Sequence, residues 1–160
     1  MTFINSLKET DGKIVLKKNE PPSPELIISN EKSILVCFLD TETTGVNKLN
    51  DQIIELAFKV VEFEESSGKI ISIKCEYQSF NQPSRSIDNK ITTLTGIDNE
   101  MVKNKEIDWS KVDSFLKDVD FIVAHNARFD RAFVDKNSSI SPKKIWACSI
   151  KDIDWFSKGF

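Results

Sequence analysis

Two carboxylates one residue apart, Asp40 and Glu42, follow an unbroken apolar run, Ile34-Leu35-Val36-Cys37-Phe38-Leu39. A short apolar run that ends in turn residues reads as a strand buried on both faces. Residues two apart on a strand project from the same side, so Asp40 and Glu42 leave its end side by side. Carboxylates that close repel, and the charged pair is disfavoured unless a cation lies between them. Oxygen ligands of this kind suit a hard divalent cation, Mg²⁺ or Mn²⁺. Thr43, Thr44 and Gly45 then turn the chain, and their backbone N–H groups can face a substrate.

Taken alone, the pair is equally a solvated turn. A second enzyme class also offers acids after a buried strand: haloacid-dehalogenase-like phosphatases carry Asp-x-Asp-x-Thr. The Glu at the second place and the lack of a Gly-Asp dipeptide count against that class. A third acid, Asp130, follows the segment His125-Asn126 and falls in the first turns of a helix expected over 127–136. By itself Asp130 is an acid that suits a helix start. Facing the first pair, it completes a cluster. Asn126 is the expected N-cap of that helix.

The elements that must hold these residues are legible as periodicity. Residues 1–32 read as an extended leader: Asp11-Gly12 marks a turn, and Pro21, Pro22 and Pro24 resist helix and central strand. Lys17-Lys18 reads as a solvated charge pair. The domain proper, 33–160, opens with the apolar strand. A second strand is expected over Ile53–Phe63 and a third over Lys69–Phe80. The third alternates, with Ile71, Ile73 and Cys75 on one face, which places it at a sheet edge. A helix is expected from Asp88 to Leu94, stopped by Gly96. Another follows Asp108, with Val112, Phe115, Leu116 and Val119 on one face. Phe121–Ala124 reads as a fourth strand and Ile145–Ile150 as a fifth. Short links make the first three strands antiparallel, and the helices before strands four and five favour parallel pairing. The expectation is an α/β fold of the ribonuclease-H-like kind, with a mixed five-stranded sheet. Ligands of such sheets gather at the carboxyl ends of the parallel strands.

Length and composition agree. The 160 residues suit one core, and the net charge of −3 gives no global pull toward nucleic acid. No apolar run approaches the ~18 residues of a membrane span. Cys37, Cys75 and Cys148 lack C-x-x-C spacing and read as buried free thiols of a reducing, cytoplasmic setting.

Phe38-Leu39-Asp40-Thr41-Glu42-Thr43-Thr44-Gly45 resembles the first motif of the DEDD (DnaQ-like) 3′–5′ exonucleases, and His125-Asn126-Ala127-Arg128-Phe129-Asp130 resembles the second. Leu94-Thr95-Gly96-Ile97 resembles the segment that meets the terminal nucleotide in proofreading members. Trp146-Ala147-Cys148-Ser149 resembles their fifth strand. The likeness spans roughly residues 34–155 and is strongest to the proofreading epsilon branch of bacterial DNA polymerase III. It implies hydrolysis of nucleic acid, DNA in the first place, from the 3′ end to nucleoside 5′-monophosphates. It further implies two cations, Mg²⁺ or Mn²⁺, with Asp40 on both, Glu42 on one and Asp130 on the other. Thr43, Thr44 and Gly45 would position the terminal nucleotide, with Thr95, Gly96, Ile97 and Asn126 beside it. The implied partners are a single-stranded 3′ end and a DNA polymerase, and no membrane.

The resemblance stops short of the family's third motif, a His followed five residues later by an Asp. The single His, His125, belongs to the second motif and reads as a hydrogen-bonded structural residue rather than a substitute base. Ile150, Ile153 and Trp155 suggest a helix just starting at the end of the sequence. An N-terminal fragment with impaired turnover is therefore expected, its bare face open to a second copy of the chain. The alternative is a non-catalytic nucleic-acid-binding or interaction module on the same fold.

Overall fold

The computed structural model describes residues 4–10, 13–18 and 32–159. The apolar run becomes β3 (Ser33–Thr43), the middle of a five-stranded sheet. β4 (Ile53–Glu64) pairs with it antiparallel, from Ser33 opposite Glu64 to Glu42 opposite Glu55. β5 (Ile70–Phe80) adds to β4 antiparallel and forms one edge. On the other side β6 (Phe121–Ala124) and β7 (Ile145–Cys148) run parallel to β3, giving the order β5-β4-β3-β6-β7. This is the expected mixed sheet. β1 (Ile4–Thr10) and β2 (Lys13–Lys18) form a separate antiparallel pair inside the segment read as a leader. The turn read at Asp11-Gly12 and the three prolines lie outside the described residues.

Local chemistry sets the helices. Asp88 caps α1 (Asn89–Thr95) by accepting from the N–H of Lys90, and Gly96 ends it at φ 77°. That left-handed conformation is open to glycine without a Cβ penalty. Asp98 caps a short α2 (Asn99–Val102), too brief to show a periodic pattern. Asp108 caps α3 (Trp109–Leu116), which buries Val112 and Leu116. α4 (Arg128–Val134) follows β6.

One face of the sheet carries the main core. Cys37 and Leu39 from β3, Leu56 and Phe58 from β4, and Ile122 from β6 meet Val112 and Leu116 of α3 and Phe133 and Val134 of α4. Phe58 stacks on Tyr77 at 5.0 Å between ring centres and meets the edge of Phe115 at 5.8 Å. A smaller cluster joins Ile54, Ile87, Ile97 and Val102. Among the described residues no cysteine is in a disulfide, and burial beside Cys75 pushes the Cys37 thiol up to about 12.

Four sequence expectations need correction. β3 is not buried on both faces: Phe38 is 42 % exposed and meets Phe63 across the open side. Ile73 and Cys75 do not share a face. The register shifts between Val60 and Val61, whose partners are Cys75 and Ile73, so Lys74 is an extra residue. Such a bulge reverses the alternation beyond it, and Ile73 turns to the open side. The fifth strand stops at Cys148, whose N–H donates to Asp152 Oδ2 at 2.7 Å and bends the chain. The stretch with Ile150 and Ile153 after it forms turns and bends instead of an α-helix start, and only a 3₁₀ turn (Phe156–Lys158) follows Trp155.

Candidate active site

Asp40 and Glu42 emerge at the carboxyl end of β3, on the open side of the sheet. Asp40 is exposed and Glu42 half-buried. The residue between them, Thr41, points to the helix side and reaches α4. There its N–H and its hydroxyl both donate to Asp130 Oδ1, at 3.0 and 2.8 Å. Asp130 is thus tied to the strand segment that carries the other two acids, although it lies 89 residues away in sequence. It is only 2 % exposed.

The electrostatics show what this closeness costs. Burial and the Asp40 charge push the Asp130 carboxyl up to about 6, against the pull of its bonds from Thr41. Burial, then the charges of Asp40, Glu55 and Asp130, raise Glu42. Glu55 is a fourth acid that sequence reasoning missed. It stands directly opposite Glu42 in the β3–β4 register and accepts from Gln78 Nε2. Like charges directly opposite across a sheet are destabilising. Among the described residues no Lys, Arg or His lies within ion-pair distance of Asp40, Glu42, Glu55 or Asp130. In charge and donor type the set fits a hard cation. In spacing, no three His, Cys, Asp or Glu side chains among the described residues form a ready-made metal cage.

The turn after β3 is tightly tied. Thr43 Oγ1 donates to the Gly45 carbonyl at 2.6 Å. The Thr44 N–H, expected to face a substrate, donates to the Gln52 carbonyl at 2.9 Å instead. Val46, Asn47 and Lys48 beyond it form one wall of a cleft of about 430 Å³. Asn126, Arg128 and Phe129 form the other wall. Asn126 does not cap α4: the cap position is Ala127, with no side-chain bond, and Asn126 adopts φ 61° with its side chain exposed. Lys48 and Arg128 give the cleft cationic groups; Arg128 lies inside the second motif, and Lys48 belongs to none.

The segment 94–97 offers less than its motif suggests. Ile97 is buried in the smaller core cluster. Thr95 Oγ1 donates to the Ile91 carbonyl at 2.9 Å and accepts from the Ile97 N–H at 3.1 Å. The side chain this segment shows to solvent is that of Leu94, 82 % exposed, beside an exposed Gly96. His125 is exposed, not buried, and its Nδ1 shares a hydrogen bond with Ser149 Oγ at 3.0 Å. It borders a second, apolar cleft on the open sheet face with Phe38, Asp40 and Ala57.

Comparisons with known proteins bear on the family and the fold. A DNA polymerase III of PolC type from Thermotoga maritima is 34 % identical over 119 residues, 73 % of this chain and 8 % of that protein. The DNA polymerase III epsilon subunit of Buchnera aphidicola subsp. Acyrthosiphon pisum is 33 % identical over 133 residues, 77 % of this chain and 53 % of that protein. The chain therefore spans about half of the epsilon relative and under a tenth of the PolC-type one. Among solved structures, exonuclease X in complex with 5′-overhanging duplex DNA superposes with a TM-score of 0.51 at 26 % identity, covering 71 % of this chain and 58 % of that one. A product-bound exonuclease I, at 18 % identity and a TM-score of 0.50 over 64 % of this chain and 24 % of that one, shares the fold. The RNase T family model, described as Exonuclease, matches residues 37–152, from the middle of β3 to the bend after β7. With both acid-bearing segments inside that span, the chain belongs to the exonuclease family.

Proposed function

We propose that residues 33–160 form an exonuclease domain that binds a single-stranded nucleic-acid 3′ end and hydrolyses its last phosphodiester. Asp40, Glu42 and Asp130 would hold the divalent ions, Mg²⁺ or Mn²⁺. The observation that carries this reading is the convergence at the carboxyl end of β3 of acids with no cationic partner among the described residues, with Asp130 tied in through Thr41. When bound, such ions supply Lewis-acid activation and neutralise charge on the phosphate.

The chain's own residues supply position. Thr41 fixes Asp130 Oδ1, leaving the carboxylate one defined orientation. Lys48 and Arg128 stand at the cleft where they meet backbone phosphates, and Phe129 lines it as a stacking surface. Leu94 presents an apolar side chain to a terminal base. In the reaction, water attacks the phosphorus of the terminal nucleotide and the bond to the 3′ oxygen of its neighbour breaks. The products are a nucleoside 5′-monophosphate and a strand shorter by one. The 3′ polarity rests on the resemblance of the two acid-bearing motifs. Similarity to polymerase III proteins supports a polymerase as partner.

The test is a single-stranded oligonucleotide, DNA or RNA, labelled at its 5′ end and incubated with the chain and Mn²⁺. Slow stepwise shortening from the 3′ end is expected, in keeping with impaired turnover, with at least a ~10²-fold further loss in Asp40→Asn, a change that removes transition-state charge stabilisation. Binding without shortening in the presence of Mn²⁺ would point to the non-catalytic module. Neither binding nor shortening would refute both.

A further inference from the structure

The cleft wall formed by Val46, Asn47 and Lys48 has no regular structure of its own; backbone N–H groups of Asn50 and Asp51 bond to the Asn47 carbonyl, and one side chain holds the wall from below. Asp51 stands at the foot of the turn between β3 and β4. Its side chain is only 8 % exposed. Its Oδ2 accepts from the Asn47 N–H at 2.8 Å, and its Oδ1 accepts from Thr44 Oγ1 at 3.0 Å. Gly45 leaves the room for this: a Cβ there would lie 2.6 Å from Asp51 Oδ2. The carboxylate thus occupies the space that any other residue at position 45 would need. The third partner is Arg85, whose guanidinium pairs with Asp51 Oδ1.

Arg85 comes from a different part of the fold, the segment that leads into α1. A second tie runs in parallel. Gln52 Oε1 accepts both the N–H and the hydroxyl of Ser84, each at 2.7 Å. The turn that walls the cleft is therefore bolted to residues 84–85, just ahead of the helix that presents Leu94. Both segments proposed to meet the terminal nucleotide share one brace.

We infer that Asp51 and Arg85 are positioning residues for the strand end: Asp51 fixes the Val46–Lys48 wall, and Arg85 keeps Asp51 neutralised. The inference rests on the nuclease reading, and charge gives the pair its special part. Asp40, Glu42, Glu55 and Asp130 already crowd the neighbouring strand ends, and a phosphodiester brings further negative charge. A buried carboxylate that loses its only cation must leave its site or find another partner. Without Arg85, Asp51 would release Asn47 and Thr44 and add its charge beside the cleft. The harm then comes from the uncompensated carboxylate, so removing that charge restores binding.

This coupling is the test. The probe is a fluorescent single-stranded oligonucleotide whose 3′-terminal linkage is a phosphorothioate, titrated by anisotropy in Mg²⁺. Arg85→Gln is expected to weaken binding about tenfold, in the range that displacement of a positioning group produces. The double variant Asp51→Asn/Arg85→Gln is expected to return to within about threefold of the parent, because an asparagine oxygen still accepts from Asn47. Arg85→Lys keeps a cation and should lose less than Arg85→Gln. A second readout needs no nucleic acid: amide hydrogen exchange across residues 44–48 should quicken in Arg85→Gln and slow again in the double variant. Equal binding by parent and Arg85→Gln, or a double variant that binds no more tightly than Arg85→Gln, would overturn the inference while leaving the nuclease reading in place. A parent chain that does not bind the oligonucleotide removes the nuclease reading itself, and the exchange result then reports on the brace alone.

Discussion

Asp130 shows how one residue can be both tied down and under stress. Thr41 gives it two hydrogen bonds, while burial and Asp40 push its proton affinity up to about 6 from an ordinary 3.8. The sign of the linkage follows. The folded state holds the proton more tightly than the unfolded chain, so this group's stabilising contribution is complete below about pH 3.8. It is lost as pH rises through about 6. Roughly two pKa units correspond to about 3 kcal/mol. In EDTA, denaturant unfolding should therefore show a stability loss of that order between pH 4 and 6.5 from this group. Asp130→Asn, which cannot ionise, should flatten that part of the profile. A variant whose profile matches the parent would show that Asp130 does not feel the acids beside it. The pair Asp40–Glu42 was legible because a strand repeats every two residues. Glu55 and Asp51 were not, because the residue facing a given position across a hairpin depends on the length and shape of the intervening turn. Only a charged Glu55 inside Ile53-Ile54-Glu55-Leu56 hinted that this strand had a second use.

At the scale of elements, the strands and capped helices followed their signals closely. β6 matches its expected bounds, and Gly96 and Asp108 act as read, since each satisfies its own helix end through local geometry; Asp88, read as the first residue of its helix, is the cap just before it. What could not be read was irregularity: the Lys74 bulge, imposed by a distant pairing, and the side-chain bond from Asp152 that ends β7. The helix that carries Asp130 depends on such a distant tie, because α4 starts without a side-chain cap. Its far end is held by α3: Asp113 accepts from the Ser138 hydroxyl and from the N–H and hydroxyl of Ser139, the last two at 2.9 and 2.7 Å. Burial opposes its charge, but these bonds hold the Asp113 carboxyl below its usual range. Asp113→Ala should cost about 1–3 kcal/mol in urea unfolding, since it strands several donors. It should also speed hydrogen exchange in residues 134–141. A variant as stable as the parent would mean that water replaces the carboxylate at no cost.

For the whole molecule, the layers matter most. Helices α3 and α4 cover one side of the sheet, and the core aromatic group, Phe58 with Tyr77 and Phe115, sits between the layers. Phe58→Ala should cost about 3–5 kcal/mol. Set against the ~5–15 kcal/mol typical of a domain, that change leaves a marginal fold. A thermal midpoint unchanged in Phe58→Ala would show that the layers are not coupled through this ring.

The same global stability should report on the acids, because a ligand that binds only the folded state raises it by mass action. At a concentration one hundred times its Kd, a cation adds about 2.7 kcal/mol. For a chain of this size each kcal/mol moves the thermal midpoint by about 2–4 °C. Mn²⁺ should therefore raise the midpoint by several degrees near pH 7.5, where Asp130 is ionised and the acids repel one another. Near pH 5 the proton on Asp130 competes with the cation, and the rise should shrink. Asp40→Asn should be more stable than the parent in EDTA, having lost one repelling charge, yet gain little from Mn²⁺. Calcium-free scanning calorimetry with and without Mn²⁺ at the two pH values separates these effects. Two results would contradict a cation site built on Asp40, Glu42 and Asp130: a parent midpoint indifferent to Mn²⁺ at pH 7.5, or an equal rise in Asp40→Asn.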